Sequence, residues 1–127
     1  ARLVYTFANA TVPKVNVIAG KAFGSAGVVM NSKSVGADMV YAWPDAEIGM
    51  MDAELAAKIM YADETAQVQR EKAEEYKNLQ SSPVSAARRG YVDTLIQPEN
   101  TRKYVIGAFE MLATKREERP FKKHGTV

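Results

Sequence analysis

Apolar positions in the first ten residues recur at helical spacing: Leu3, Val4, Phe7 and Ala8 fall on one face. The pattern predicts an opening helix that ends at Thr11-Val12-Pro13, because proline disfavours helical dihedrals in the residue before it. The period then changes to two. Lys14 to Gly20 alternates polar with apolar over its first half and lies between Pro13 and Gly20, which predicts a strand. Small residues from Ala22 to Gly27 give way to Val28-Val29-Met30, the pattern of a tight turn feeding a buried helix that ends near Gly36. Met39 to Trp43, stopped by Pro44, reads as a second strand, and Ala46 to Met50 as a short third.

Helical patterning dominates the second half. Asp52 is placed to cap a helix running to Met60-Tyr61. Residues 63–78 carry Glu64, Arg70, Glu71, Lys72, Glu74, Glu75 and Lys77, a solvated charged helix with i,i+4 ion pairs. Ser81-Ser82-Pro83 breaks it, and Val84 to Arg89 makes a short helix with Gly90 as its C-cap. Tyr91 to Ile96 reads as a strand. Gln97 to Thr101 starts a last helix whose predicted buried stripe is Tyr104, Val105, Ala108, Met111 and Leu112. The basic stretch from Arg116 to Lys123 is expected to dock loosely. Strand, turn, helix, strand is a βαβ-like order, so the expected fold class is α/β. No internal repeat or low-complexity linker is visible.

Composition narrows the possible functions. A chain of 127 residues is one small domain or part of a larger one. The opening helix is entered in mid-stride without an initiator Met, so a cut fragment or processed product is expected. Cysteine is absent, which removes disulfides, thiolate nucleophiles and cysteine-based metal sites. The single histidine, His124, argues against a Ser–His–Asp triad and a multi-histidine centre, and no metal site is expected. A net charge of +2 is too small for a nucleic-acid footprint. No apolar run approaches the ~18 residues that cross a membrane, and no cleavable leader is evident, so a cytoplasmic location is expected.

With so little side-chain machinery, polarised backbone is the best candidate for chemistry. Turn glycines let N–H groups face a ligand, and a helix N-terminus adds a positive dipole end. Two such groups aimed at one oxygen make an oxyanion hole. Gly24-Ser25-Ala26-Gly27 has this character, although close helix–strand packing explains the same small residues, and pattern alone favours packing. Trp43, Met39, Met50 and Met51 read as core. Asp38, Asp45, Glu47 and Asp52 surround the strand ends, but no spacing pairs them as acid and base. Arg88-Arg89 is a candidate phosphate contact, yet a helix C-terminus accounts for both arginines.

Lys21-Ala22-Phe23-Gly24-Ser25-Ala26 followed by Met30-Asn31-Ser32-Lys33 resembles the KAYGGA…M-x-SK stretch of biotin-dependent acyl-CoA carboxyltransferases. These include the β chains of propionyl-CoA carboxylase and the carboxyltransferase subunits of sodium-pumping decarboxylases. Gly36-Ala37-Asp38, Tyr41-Ala42-Trp43-Pro44 and Ala46-Glu47-Ile48 are similar to the family's GAD…YAWP-x-AEI. Arg89-Gly90-Tyr91-Val92-Asp93, Ile96, Pro98 and Thr101-Arg102 resemble its RGYVD…I-x-P…TR. Lys115-Arg116, Arg119-Pro120 and Lys123-His124-Gly125 are similar to its closing KR…RP…KHG. The matches run in order over nearly the whole chain.

The resemblance implies a crotonase-like (ClpP/crotonase) fold of repeated ββα units. It assigns residues 1–127 to the later part of the C-terminal carboxyltransferase subdomain, with the N-terminal CoA-binding subdomain absent. The implied active site lies between the N-subdomain of one protomer and the C-subdomain of another, so the thioester's oxyanion hole is not expected here. The family's second oxyanion hole falls on the backbone N–H groups of Ser25 and Ala26. They are implied to hold the biotin ureido oxygen as enolate charge develops, while CO2 passes between N1 of biotin and the substrate's α-carbon. Phe23, Gly24, Gly27 and Val28 are the implied biotin/acyl pocket wall. Phe23 stands for a usual tyrosine and Ser25 for a usual glycine, and both preserve the turn. Gly27 replaces a usual larger residue and Val28 an acidic one found in some members, which alters the wall.

The implied function is transfer of a carboxyl group between carboxybiotin and an acyl-CoA, in a carboxylase or a decarboxylase. The chain alone is expected to be inactive. Biotin is expected on a separate carrier domain, with the acyl-CoA as substrate. Expected partners are the biotin carboxyl carrier protein and further copies: dimers or trimers of the chain, a trimer or hexamer of the intact subunit. No nucleic acid is expected, and a membrane only indirectly, through a decarboxylase pump. A non-catalytic scaffold with the same fold is the alternative, kept open by Gly27 and by Asp52, where the family tends to have glycine. A relative such as an enoyl-CoA hydratase needs acid/base carboxylates outside this chain, and YAWP with the KHG tail argues against it.

Overall fold

The computed structural model describes residues 1–121. After an opening helix α1 (Arg2–Asn9), two strand–strand–helix units follow one another. The first is β1 (Val15–Ile18), β2 (Lys21–Phe23) and α2 (Gly24–Val29); the second is β3 (Met39–Ala42), β4 (Glu47–Gly49) and α3 (Ala53–Met60). Like pairs with like. β1 lies parallel to β3 with Val15 opposite Met39, and β2 lies parallel to β4 with Lys21 opposite Glu47. The units thus form a structural repeat that the sequence pattern does not reveal. A two-residue strand β5 (Thr94–Leu95) joins β3, giving a three-stranded sheet of order β1-β3-β5 beside the two-stranded β2-β4.

Alternation along β3 divides the core, because successive side chains of a strand point to opposite faces. Val40 and Ala42 pack with Ala37, Ala46, Ala86 and Val92 on one side. Tyr41 packs with Ile96 and Ala108 on the other, where Met39 and Trp43 join them as core residues. Met50, expected in the core, is instead 79% exposed, since β4 ends before it.

The second half is helical, as its pattern predicts. Asp52 caps α3 by accepting from the Glu54 N–H, and Thr65 caps α4 (Ala66–Tyr76) through the Val68 N–H. The charged helix forms one i,i+3 pair, Lys72–Glu75, and reaches back to β4 through Lys77–Glu47. A single π turn, Lys77–Ser81, follows before Ser82 caps α5 (Pro83–Arg88) by accepting from the Ser85 N–H. The last helix, α6 (Thr101–Met111), rests on the Tyr41 face. Its stripe is narrower than expected. Ala108 is buried, Val105 and Leu112 half-buried, and Met111 65% exposed.

Four other expectations are corrected. Lys21-Ala22-Phe23 is a strand rather than part of a turn, because pairing with β4 organises a segment too short to show a period. The helix after it stops at Val29 rather than near Gly36, since Asn31 turns into the left-handed region (φ 55°). A 3-10 turn, Lys33–Val35, then leads to Gly36 at φ 98°. Nor does α2 bury any residue. The strand predicted from Tyr91 to Ile96 contracts to two residues. The KHG match, including His124, lies outside the described residues.

Candidate functional site

The β2–α2 junction is built by two glycines with different tasks. Gly24 sits at φ +56°, a conformation that side chains resist, and a Cβ there would stand 3.1 Å from the Met50 carbonyl oxygen. Gly27 has an ordinary dihedral, but its Cβ would come within 2.9 Å of the Ala22 carbonyl carbon. The turn explanation therefore holds at Gly24 and the packing explanation at Gly27. Extended Phe23 occupies the N-cap position and offers no capping side chain. The first N–H groups of a helix have no acceptor within it, and here those of Gly24, Ser25 and Ala26 begin the turn. Ser25 and Ala26 are exposed.

Beside this junction lies a cavity of about 270 Å³. Gly24, Gly27 and Val28 line it from α2, Ala22 from β2, and Ile48, Gly49 and Met50 from β4 and its end. Phe23, predicted as wall, is not among the lining residues: strand alternation turns Ala22 to the cavity and Phe23 away from it. Ser25 and Ala26 also lie off the wall, on the exposed start of α2. Lys33, Arg89 and Tyr91 supply the cavity's polar side. Arg89 is held by Gln80, whose side-chain oxygen accepts from its guanidinium.

The acidic residues of the sequence signatures are occupied elsewhere. Asp38 accepts from the Lys14 N–H at 2.8 Å and from the Lys115 ammonium at 2.9 and 3.0 Å. Lys115 also donates to the Val12 carbonyl at 3.2 Å. Burial opposes ionisation of Asp38, but Lys115 and the Lys14 N–H outweigh it and hold the carboxyl below its ordinary value. Its carboxylate partner holds the Lys115 ammonium above its own. Asp93 accepts from the Val40 N–H at 2.8 Å and from Lys33 at 2.8 and 2.9 Å, fastening β5's approach to β3. Trp43 donates its indole N–H to Thr101 Oγ1 at 2.9 Å, which seats α6. Burial, then Asp93, then Tyr104 push the Tyr41 hydroxyl up. The remaining acidic candidates do not converge: Asp52 caps α3 and pairs with Lys21 at 3.3 Å, Glu47 pairs with Lys77, and Asp45 is exposed.

Sequence reasoning missed two buried polar atoms. Ser81 Oγ and Asn31 Oδ1 have no hydrogen-bond partner, although Asn31 Nδ2 donates to the Val15 carbonyl at 3.3 Å. Neither residue carries a sequence signal that would single it out. Among the described residues no cluster of three or more acidic or histidine side chains is placed to hold a metal. No helix there is long and apolar enough to cross a membrane.

A family model described as the carboxyl transferase domain matches residues 1–127. The chain belongs to the carboxyl transferase domain family. This carboxyl transferase domain is 46% identical over 131 residues to the methylmalonyl-CoA carboxyltransferase 12S subunit of Propionibacterium freudenreichii subsp. shermanii, covering 98% of the chain and 25% of that protein. It is 44% identical over 137 residues to the propionyl-CoA carboxylase beta chain of Saccharopolyspora erythraea, covering 100% of the chain and 25% of that protein. Among solved structures, transcarboxylase 12S superposes with a TM-score of 0.91 at 45% identity, over 98% of this chain and 25% of that one. That structure is described as a hexamer with hydrolysed methylmalonyl-coenzyme A bound. The likeness makes the fold crotonase-like, with the ββα units described above as its repeats. The chain spans about a quarter of the length of these relatives.

Proposed function

We propose that this domain supplies the biotin side of carboxyl transfer to or from an acyl-CoA, as the later part of a C-terminal carboxyltransferase subdomain. The observation that carries the reading is the β2–α2 junction. A strained glycine turn presents uncapped N–H groups of Ser25 and Ala26 at the mouth of a short helix, next to a cavity with an apolar wall. Two main-chain donors beside an apolar surface suit a neutral ureido ring, which needs donors at one oxygen and no countercharge. Biotin, when bound, supplies the nitrogen that carries the carboxyl group.

The chain's own residues then have distinct tasks. The N–H groups of Ser25 and Ala26 would hold the ureido oxygen as hydrogen-bond donors and would favour negative charge there. Gly24 sets their direction through its left-handed turn, and Gly27 presses α2 against β2 so that the donors hold their place. Val28, Ile48 and Met50 make the adjoining wall. The acyl-CoA binds on a surface outside this chain, the biotin arrives on its carrier protein, and further copies complete the site.

Biotin-dependent loss of the carboxyl group from one of malonyl-, methylmalonyl- or glutaconyl-CoA, measured on the intact protein, tests the reading and names the substrate. Silence across the panel from a folded, assembled protein favours the scaffold alternative. At the site itself, Ser25→Pro deletes one donor at a first-turn position where proline is tolerated, and should lower turnover roughly 10²–10³-fold. Ser25→Ala keeps the N–H and should leave turnover near normal. Equal turnover in folded Ser25→Pro and Ser25→Ala proteins would sink the oxyanion role.

A further inference from the structure

Two cations stand on the polar side of the cavity beside α2, and only one of them is spent. Lys33 donates to both Asp93 oxygens at 2.8 and 2.9 Å and to the Asp38 carbonyl at 3.1 Å, which uses its ammonium protons. Arg89 has no carboxylate partner among the described residues. Its guanidinium donates to the Gln80 side-chain oxygen and to no α5 carbonyl, so the helix-end contact expected of it is not made. Both residues are fixed through the backbone. Gly90, at φ +84°, ends α5 just after Arg89, and the Gly90 and Tyr91 N–H groups donate to the Ala87 and Ala86 carbonyls at 3.0 Å. Gln80 lies in the π turn between Leu79, whose carbonyl accepts from Ser85 Oγ at 2.8 Å, and fully buried Ser81.

We propose that Arg89 binds the transferable carboxylate of a carboxylated acyl-CoA, and that Gln80 positions the guanidinium for it. This rests on the carboxyl transfer reading, in which the substrate's carboxyl comes to the biotin side, where Gly24 and Arg89 line one cavity. A guanidinium is planar, and its paired N–H groups match both oxygens of a carboxylate as a lysine ammonium does not. The apolar wall from Ile18, Val28, Val40 and Ile48 brings no competing charge. Gln80 suits its task because it is neutral. Its amide oxygen holds the guanidinium without cancelling the charge, and leaves further N–H groups for a ligand. Arg89 makes and breaks no bond. It sets where the carboxylate lies before transfer, and a thioester without a carboxylate gains nothing from it.

Methylmalonyl-CoA and propionyl-CoA differ by the carboxylate alone, so their binding to the intact protein, measured by calorimetry without biotin, tests the assignment with no turnover. The wild type should prefer methylmalonyl-CoA. Arg89→Met should weaken methylmalonyl-CoA roughly 10–100-fold and leave propionyl-CoA unchanged. Arg88→Met, next in sequence but off the cavity wall, should keep the preference. Gln80→Glu keeps the arginine but sets a permanent carboxylate against it, and should erase the preference while the thermal midpoint holds or rises. No preference in the wild type, a preference kept in folded Arg89→Met, or equal weakening of both thioesters, as loss of a phosphate contact would give, overturns this proposal alone. An intact protein that binds neither thioester overturns the carboxyl transfer reading with it.

Discussion

Asp38 takes hydrogen bonds from the Lys14 backbone and the Lys115 ammonium, and so joins the start of β1, the approach to β3 and the segment after α6. Asp93 and Lys33 do the same for β5 and β3, and Trp43 does it for α6. Asp38, Asp93 and Trp43 of the family signatures thus fasten the fold. A pH dependence follows for the first of them. Asp38 is held below the ordinary carboxylate value near 3.8, so its contribution is present above that value and lost as pH falls through the lower folded one. Lys115 is held above its ordinary value near 10.5; its contribution is present below 10.5 and lost as pH rises through the higher folded one. Asp38→Asn should therefore cost about 2 kcal/mol at neutral pH and flatten both limbs of a thermal-midpoint profile. An Asp38→Asn profile that keeps the wild-type acid limb would assign that limb to other carboxylates.

Among the elements, those with a chemical start or stop signal are legible from sequence. Asp52 marks α3, Ser82-Pro83 marks α5, and Pro13 and Gly20 frame β1. Those shaped by pairing are not. β2 has three residues and becomes a strand only against β4, while α2 ends where Asn31 adopts a dihedral that its residue type merely permits. The candidate site is legible to the level of the turn, because Gly24 takes a left-handed dihedral and Gly27 permits a close approach to β2. Which residues face the cavity is not, since that depends on strand alternation in β2. Gly27 joins these two matters. A methyl there overlaps the Ala22 carbonyl, so Gly27→Ala should push α2 off β2 and destabilise the fold by about 1–3 kcal/mol. If the α2 donors serve catalysis, turnover should fall further than stability does, as seen by comparing rates well below the melting range. Unchanged rates would separate α2's position from the chemistry.

In the whole molecule, the two ββα units explain why the α/β reading held although the detailed order was coarser than the fold. A βαβ crossover and a ββα repeat share the same string of strands and helices, and only the partner choice, β1 with β3 and β2 with β4, tells them apart. The surface is just as uneven. Leu55, Ile59 and Met60 leave an apolar side of α3 uncovered among the described residues.

The bond from Lys115 to the Val12 carbonyl links positions 103 residues apart. The tie holds the segment after α6 against the approach to β1, so Lys115→Met in the intact protein should speed hydrogen exchange of both stretches while leaving α3 and α4 unchanged. Unchanged exchange in both stretches would mean that packing around them, and not this one ammonium, keeps the two distant segments together.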